Sequence, residues 1–293
     1  MRRLVIVGAS LAGLRAAQAA RAAGHDGGLV VIGSEPHLPY TRPPLSQDLL
    51  HGGHSPELCA FPLGKLDVDW RLGVAAVALD RGLRQVTLED GGRVSYERLI
   101  IATGSRARRW DGPGAELEGV QSLRTLDDAQ ALQARLLPGR RLVIIGAGFI
   151  GCEVAASARM LGVAVTLVDI APHPLLGFGP QLGRRFKRLH QDHGVDVRLR
   201  VGLEALHGDD DGRVQSVELS DGTRVAADAV LIALGAVLNN EWLRGSGLEL
   251  EPAVICDSTL TSVSDPDVLA AGDMAAVPVG LAGGAATRIE HWT

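Results

Sequence analysis

Apolar residues in this chain come in short unbroken runs more than in alternation. Val5-Ile6-Val7 leads into a glycine-containing turn, then Leu11 to Ala23, where alanine and leucine recur at helical spacing, then a second apolar run over Leu29 to Ile32. The same events recur further on: Val143-Ile144-Ile145, a glycine turn, a helical pattern over Ile150 to Leu161, and an apolar run over Val163 to Val168. Unbroken apolar runs read as strands buried on both faces. Such strands alternating with helices call for a parallel sheet with right-handed crossovers. The predicted fold class is α/β, with two interleaved Rossmann-like dinucleotide-binding domains.

The repetition extends beyond these openings. Val5–Gly13 reads like Val143–Gly151 at an offset of 138, and VTLEDGGRVSYERLIIATG (86–104) reads like VELSDGTRVAADAVLIALG (217–235) at an offset of 131. Each member of the second pair has a strand, a turn at Asp90-Gly91 or Asp221-Gly222, a second strand, and a buried strand ending in glycine. Two glycine fingerprints, each followed by the same second motif, indicate a duplicated nucleotide-binding module. Arg109–Glu118 (RWDGPGAELE) is the candidate linker and 235–240 the return. The expected boundaries are therefore 1–110, 111–236 and 237–293, with the outer two segments forming one domain.

The fingerprints differ. Gly146-x-Gly148-Phe149-Ile150-Gly151 has the three glycines that permit a tight turn, close approach of the backbone to a pyrophosphate, and helix–strand packing. The helix start then offers free N–H groups and a positive dipole end to the phosphates. Asp169, 23 residues after Gly146, stands where a ribose 2′-OH acceptor belongs, and no arginine lies among residues 170–173 to receive a 2′-phosphate. NADH is predicted over NADPH. In Gly8-x-Ser10-Leu11-Ala12-Gly13 serine takes the middle position, where it still permits close approach, and Glu35 is the ribose candidate.

Composition narrows the classes. The chain has 293 residues, enough for two α/β cores, and is 46% hydrophobic but only 3% aromatic, so the cores must be aliphatic. A net charge of −5 argues against a nucleic-acid binder. No uninterrupted apolar stretch approaches the ~20 residues of a membrane span. Cys59, Cys152 and Cys256 show neither CxxC nor metal-ligand spacing, and no metal is expected. A cytoplasmic protein is predicted.

Glu35–Ser46 (EPHLPYTRPPLS) resembles the EPHxPYxRPPLSK signature of oxygenase- and P450-coupled ferredoxin reductases, a group of glutathione-reductase-like fold. Leu99–Arg106 (LIIATGSR) resembles their second FAD motif, Val268–Asp273 (VLAAGD) their third, and Arg288–Thr293 their RIExWxNA segment. The resemblance implies FAD in the first unit and NADH in the second. It carries FAD contacts to Pro43, Ala102, Thr103, Gly104 and Gly272, with Arg42 and Arg124 at the phosphates, Ala76 on the adenine side, Asp273 at the ribitol and Trp292 at the flavin ring. It carries NADH contacts to Gly235 and to Glu153, near the nicotinamide. It implies electron transfer from NADH through FAD to an acidic [2Fe–2S] ferredoxin, by a monomer or weak dimer. A weakly turning-over nucleotide-sensing flavoprotein and a flavin oxidoreductase acting on a small molecule remain alternatives.

Departures from that pattern are informative. Gln47 stands where the family has a lysine that pairs with the glutamate at the Glu153 position. The expectation is a lower flavin potential and a Glu153 left without its partner. Leu238 replaces a proline in Gly235–Asn239. The paired cysteines of disulfide reductases are absent, Cys152 reads as a packing residue, and Arg106, Arg108 and Arg109 are candidates for part of a docking patch. The family's C-terminal interface domain is not represented in these residues, which would leave an apolar face exposed.

Overall fold

The computed structural model describes residues 3–279 and 286–288. By packing, these divide into two units. One comprises the residues up to Thr41, Ala60–Arg106, and those from Val237 onwards; the other comprises Arg42–Cys59 and Ala107–Ala236. The chain crosses between them at 106/107 and 236/237, close to the Gly- and Pro-rich stretches singled out above. The excursion 42–59 packs with the second unit, an arrangement with no compositional mark.

The first unit is built on a six-stranded sheet in the order Thr261–Ser262, Asp265–Ala270, Arg98–Ile101, Arg3–Val7, Gly28–Gly33, Asp69–Leu72. Its pairings are parallel except at the Thr261–Ser262 edge. Leu4 to Val7 are all buried, which is why the run is continuously apolar: alternate residues face different layers. Val5, Val7, Val30, Ile32, Leu99 and Ile101 pack with Leu79, Val86, Leu88 and Val94 of an antiparallel meander. Leu4, Ile6, Leu29 and Val31 pack instead with Ala17 of helix α1 (Leu11–Ala22).

The second unit repeats this plan. Its five-stranded sheet runs Asp196–Leu199, Ala164–Asp169, Arg141–Ile145, Ala229–Ile232, Val120–Ser122, all parallel. A meander of Leu203–Gly208, Val214–Leu219 and Arg224–Ala226 contributes Leu206, Val214, Val217, Leu219 and Val225 to a core with Val143, Ile145, Val168, Val230 and Ile232. Three helices belong to this unit: α2 (Leu126–Gln133), α3 (Phe149–Met160) and α4 (Gly179–Asp192). The expected elements lie within two residues of those observed; α3 starts at Phe149 where Ile150 was expected, and the strands expected from Val5 and Val143 begin at Arg3 and Arg141. No helix among the described residues is long and apolar enough to cross a membrane.

Candidate nucleotide-binding sites

Each unit builds the same loop. Gly8 N–H donates to Ile32 O (2.8 Å), and Ala102 N–H to Val7 O (2.7 Å). Gly146 N–H likewise donates to Val168 O (2.8 Å), and Ala233 N–H to Ile145 O (2.7 Å). Both first glycines have positive φ, 124° and 111°. A Cβ would lie 2.0 Å from Ala102 O at Gly8 and 2.3 Å from Ala233 O at Gly146. Only glycine lets the neighbouring strand close this tightly. The third glycines, Gly13 and Gly151, let each helix sit on the loop's own carbonyl. Gly148 differs: it is exposed, and a Cβ there would meet nothing within 4 Å.

The helix starts differ. α2 satisfies its own first turn with a capping box: Thr125 Oγ1 accepts from Asp128 N–H (3.1 Å), and Asp128 returns a bond to Thr125 N–H (2.9 Å). α1 and α3 have neither a side-chain cap at Ser10 or Gly148 nor an acid in the first turn. α4 is likewise without a side-chain cap at Phe178; what sets α1 and α3 apart is that each starts on a glycine loop that turns back tightly, which fits a phosphate-bearing ligand. The residues present fit a dinucleotide at each loop.

In the first unit the remaining motif residues gather at the carboxyl ends of the same strands. Gly272 lies against Ala12, where a Cβ would be 3.0 Å from the alanine methyl, and the following Asp273 accepts from Ser105 Oγ at 2.8 Å. Asn239 ties down the Ala102–Gly104 turn: Thr103 Oγ1 donates to Asn239 O (2.7 Å), and Asn239 Nδ2 donates to Thr103 O (2.9 Å). Glu35 accepts from the Tyr40 hydroxyl. Ala76 opens the meander just after Val74, whose N–H bonds to Gly33 O (3.0 Å), bringing it near Glu35. Trp292 lies outside the described residues.

In the second unit Asp169 ends its strand beside the glycine loop. Its two oxygens accept from Ala147 N–H (2.6 Å) and Ala171 N–H (2.7 Å), which aims the carboxylate. Phe149 and Phe178 stack edge-to-face at 5.5 Å near the exposed Ile150. Gly235, with a φ of 89°, accepts from Arg108 N–H. Arg42 and Arg124 come together here, with Arg42 Nη1 donating to Arg124 O (2.5 Å).

Glu153 is the fifth residue of α3, one turn inside the helix. It is not left without a partner, as the loss of lysine had suggested. Gln47 Nε2 donates to Oε1 (3.0 Å) and Ser46 Oγ to Oε2 (2.5 Å). Ser157 Oγ in turn donates to Ser46 O (2.8 Å), and Gln133 Nε2 to Leu49 O (2.7 Å), fastening the 42–59 excursion. An amide reaches as well as an ammonium, so the geometry survives while the charge does not. Ser46, Ser157 and Asn239 were not singled out from sequence; their partners are more than a hundred residues away along the chain.

Thiol chemistry finds no support. All three cysteines are buried. Burial pushes the Cys152 thiol up to about 12, with Asp169 and Glu153 adding, and that of Cys256 to about 11. A thiolate nucleophile needs the opposite environment. Arg106 is engaged by Glu241 (2.6 Å) and Asn239 (3.1 Å). No cluster among the described residues is built to hold a metal.

The sequence profile of the pyridine nucleotide-disulphide oxidoreductase family matches residues 2–293. The chain is 40% identical over 280 residues to the ferredoxin reductase component of a chlorobenzene dioxygenase from Cupriavidus sp. (strain PS12), covering 94% of this chain and 68% of that protein. Identity is also 40%, over 281 residues, to the ferredoxin–NAD(+) reductase component of the biphenyl dioxygenase system of Paraburkholderia xenovorans (strain LB400), with the same coverage. Among solved structures, putidaredoxin reductase in covalent complex with putidaredoxin matches 99% of this chain and 71% of its own at a TM-score of 0.93 and 32% identity. With both glycine loops, their uncapped helices and the carboxylates beside them in place, this chain belongs to the pyridine nucleotide-disulphide oxidoreductase family.

Proposed function

We propose that the protein is an NADH-dependent flavoprotein reductase that delivers electrons to a [2Fe–2S] ferredoxin serving an oxygenase or P450. The observation that carries this reading is the pair of sterically closed glycine loops, each delivering a buried parallel strand into a helix start that has no side-chain cap. Bound FAD would supply the conversion of a two-electron hydride donor into single electrons, which a nicotinamide cannot perform.

This chain's residues do the holding. Gly8, Ser10, Leu11, Ala12 and Gly13 cradle the FAD pyrophosphate with the start of α1, Glu35 takes its ribose, and Asp273, oriented by Ser105, takes ribitol hydroxyls. Arg42 and Arg124 offer guanidinium donors to phosphate oxygens. Gly146, Gly148 and Gly151 present the α3 amides to the NADH pyrophosphate. Asp169 accepts from its ribose and repels a 2′-phosphate. Glu153, held by Ser46 and Gln47, orients the nicotinamide end. The buried, protonated thiols favour an outlet to a protein acceptor over dithiol exchange.

The test is direct. Purified protein is expected to carry FAD, to bleach with NADH at least tenfold more efficiently than with NADPH, and to reduce cytochrome c only when a [2Fe–2S] ferredoxin is added. Absence of flavin on reconstitution, or NADH-independent bleaching by a small organic substrate, overturns the reading.

A further inference from the structure

Many arginines in this molecule are held by acids. Arg84 and Arg98 share Asp267, Arg140 and Arg141 share Asp228, Arg135 and Arg213 share Glu118, and Arg198 and Arg224 pair with Asp196 and Glu218. Helix α4 breaks this pattern. Arg184, Arg185, Lys187 and Arg188 crowd into its middle, and its single acid, Asp192, sits in the last turn. Among the described residues none of these four cations has an ion pair or a side-chain hydrogen bond. Arg184, Arg185 and Arg188 are exposed, and Lys187 is half-buried.

Helical spacing explains the arrangement. Gly183 and His190 are buried and mark the inward face. At 3.6 residues per turn, Arg184, Arg185 and Arg188 fall on the opposite side, with Leu182 and Leu189 (37% and 51% exposed) flanking Arg185. Like charges at positions 184/187, 185/188 and 184/188 repel one another along the helix. No ion pair among the unit's described residues offsets that repulsion, in a chain whose net charge is −5.

We propose that the outward face of α4, carried by Arg184, Arg185 and Arg188, with the half-buried Lys187 on its flank and Leu182 and Leu189 at its rim, is a docking surface for a carboxylate-rich protein. That protein is the acidic iron–sulfur acceptor of the reductase reading above, on which this proposal rests. Guanidinium groups match carboxylates in bidentate geometry, and three of the four cations are arginine. A lipid surface is the competing occupant, since Leu182 and Leu189 are exposed beside the cations, and vesicle binding is therefore one outcome of the test. Such a surface acts mainly on association and is screened by salt.

The test compares wild type with Arg184→Glu/Arg188→Glu and with a milder variant in which residues 184, 185, 187 and 188 are all replaced by Gln. Each is assayed with NADH and ferricyanide, and with NADH and an acidic [2Fe–2S] ferredoxin at low and high ionic strength. Ferricyanide reduction should be unchanged. KM for ferredoxin should rise about tenfold or more at low salt with kcat unaltered, and the salt dependence should flatten. An unchanged KM and salt response in both variants overturns the proposal while leaving the reductase reading intact. If wild type transfers no electrons to ferredoxin, the reductase reading fails, and docking is decided by direct calorimetric titration of the same ferredoxin. Charge-dependent binding sustains the surface, and no binding overturns it. Cosedimentation with phosphatidylglycerol vesicles, lost in the variants while ferredoxin KM stays fixed, overturns it in favour of a lipid surface.

Discussion

Gly146 and Gly148 occupy one loop and answer to different constraints. At Gly146 a methyl group would be driven 2.3 Å from a backbone oxygen at a φ of 111°. Gly146→Ala should therefore destabilise the second unit by roughly 2–4 kcal/mol, read by denaturant unfolding. Gly148 has ordinary φ (−76°) and open space around its missing Cβ, so Gly148→Ala should leave stability within about 0.5 kcal/mol. Its cost should appear instead as roughly tenfold weaker NADH binding, because the methyl group enters the space a pyrophosphate would take. Equal losses of stability in the two variants would mean that the loop around Gly148 is only a turn. The glycines were legible in the sequence because each serves a local geometry. The Glu153 clamp was not: Ser46 and Glu153 are 107 positions apart, and a reading by position saw only that lysine had become Gln47.

Helix ends show the same division one level up. α1 and α3 announced themselves through a glycine loop and an apolar period, and both were placed to within a residue. α2 is eight residues long, too short to show a convincing period, and its box uses Asp128 where glutamate or glutamine is the usual signal. α4 was obscured by a polar residue on its inner face. His190 is 6% exposed, and burial, with His193 adding, holds its pKa below the ordinary 6.5. The sign of the consequence follows from linkage. Above pH 6.5 both folded and unfolded chains carry neutral His190, and it contributes no pH dependence. Below 6.5 the unfolded chain takes up a proton that the folded helix resists, so stability falls with pH until the depressed folded value is reached. Unfolding free energy measured at pH 7.5 and 5.5 should drop in wild type, and the drop should shrink in His190→Gln. An equal drop in both would assign the pH dependence elsewhere.

At the scale of the molecule, one plan has been used twice: a parallel sheet, a glycine loop at its carboxyl edge, an uncapped helix, an antiparallel meander behind. The repeat was readable because the same steric demands recur with the same residues at Gly8 and Gly146, at Gly13 and Gly151, and at the Asp90 and Asp221 turns. What distinguishes the copies lies in the parts that differ, Ser10 against Gly148 and Glu35 against Asp169. Because the second cradle closes with hydrogen bonds inside its own unit, it should bind the phosphate–ribose portion of its ligand independently of the first. ADP-ribose, which lacks the nicotinamide, isolates that portion for the second unit. Its Kd should agree within about threefold between flavin-loaded and flavin-stripped protein. Gly148→Ala should weaken it equally in both forms, and Asp169→Asn should cost affinity for ADP-ribose while easing binding of its 2′-phosphorylated analogue. Loss of ADP-ribose binding on flavin removal, with the fold intact by circular dichroism, would show that the second cradle depends on the first and that the duplication is not one of autonomous sites.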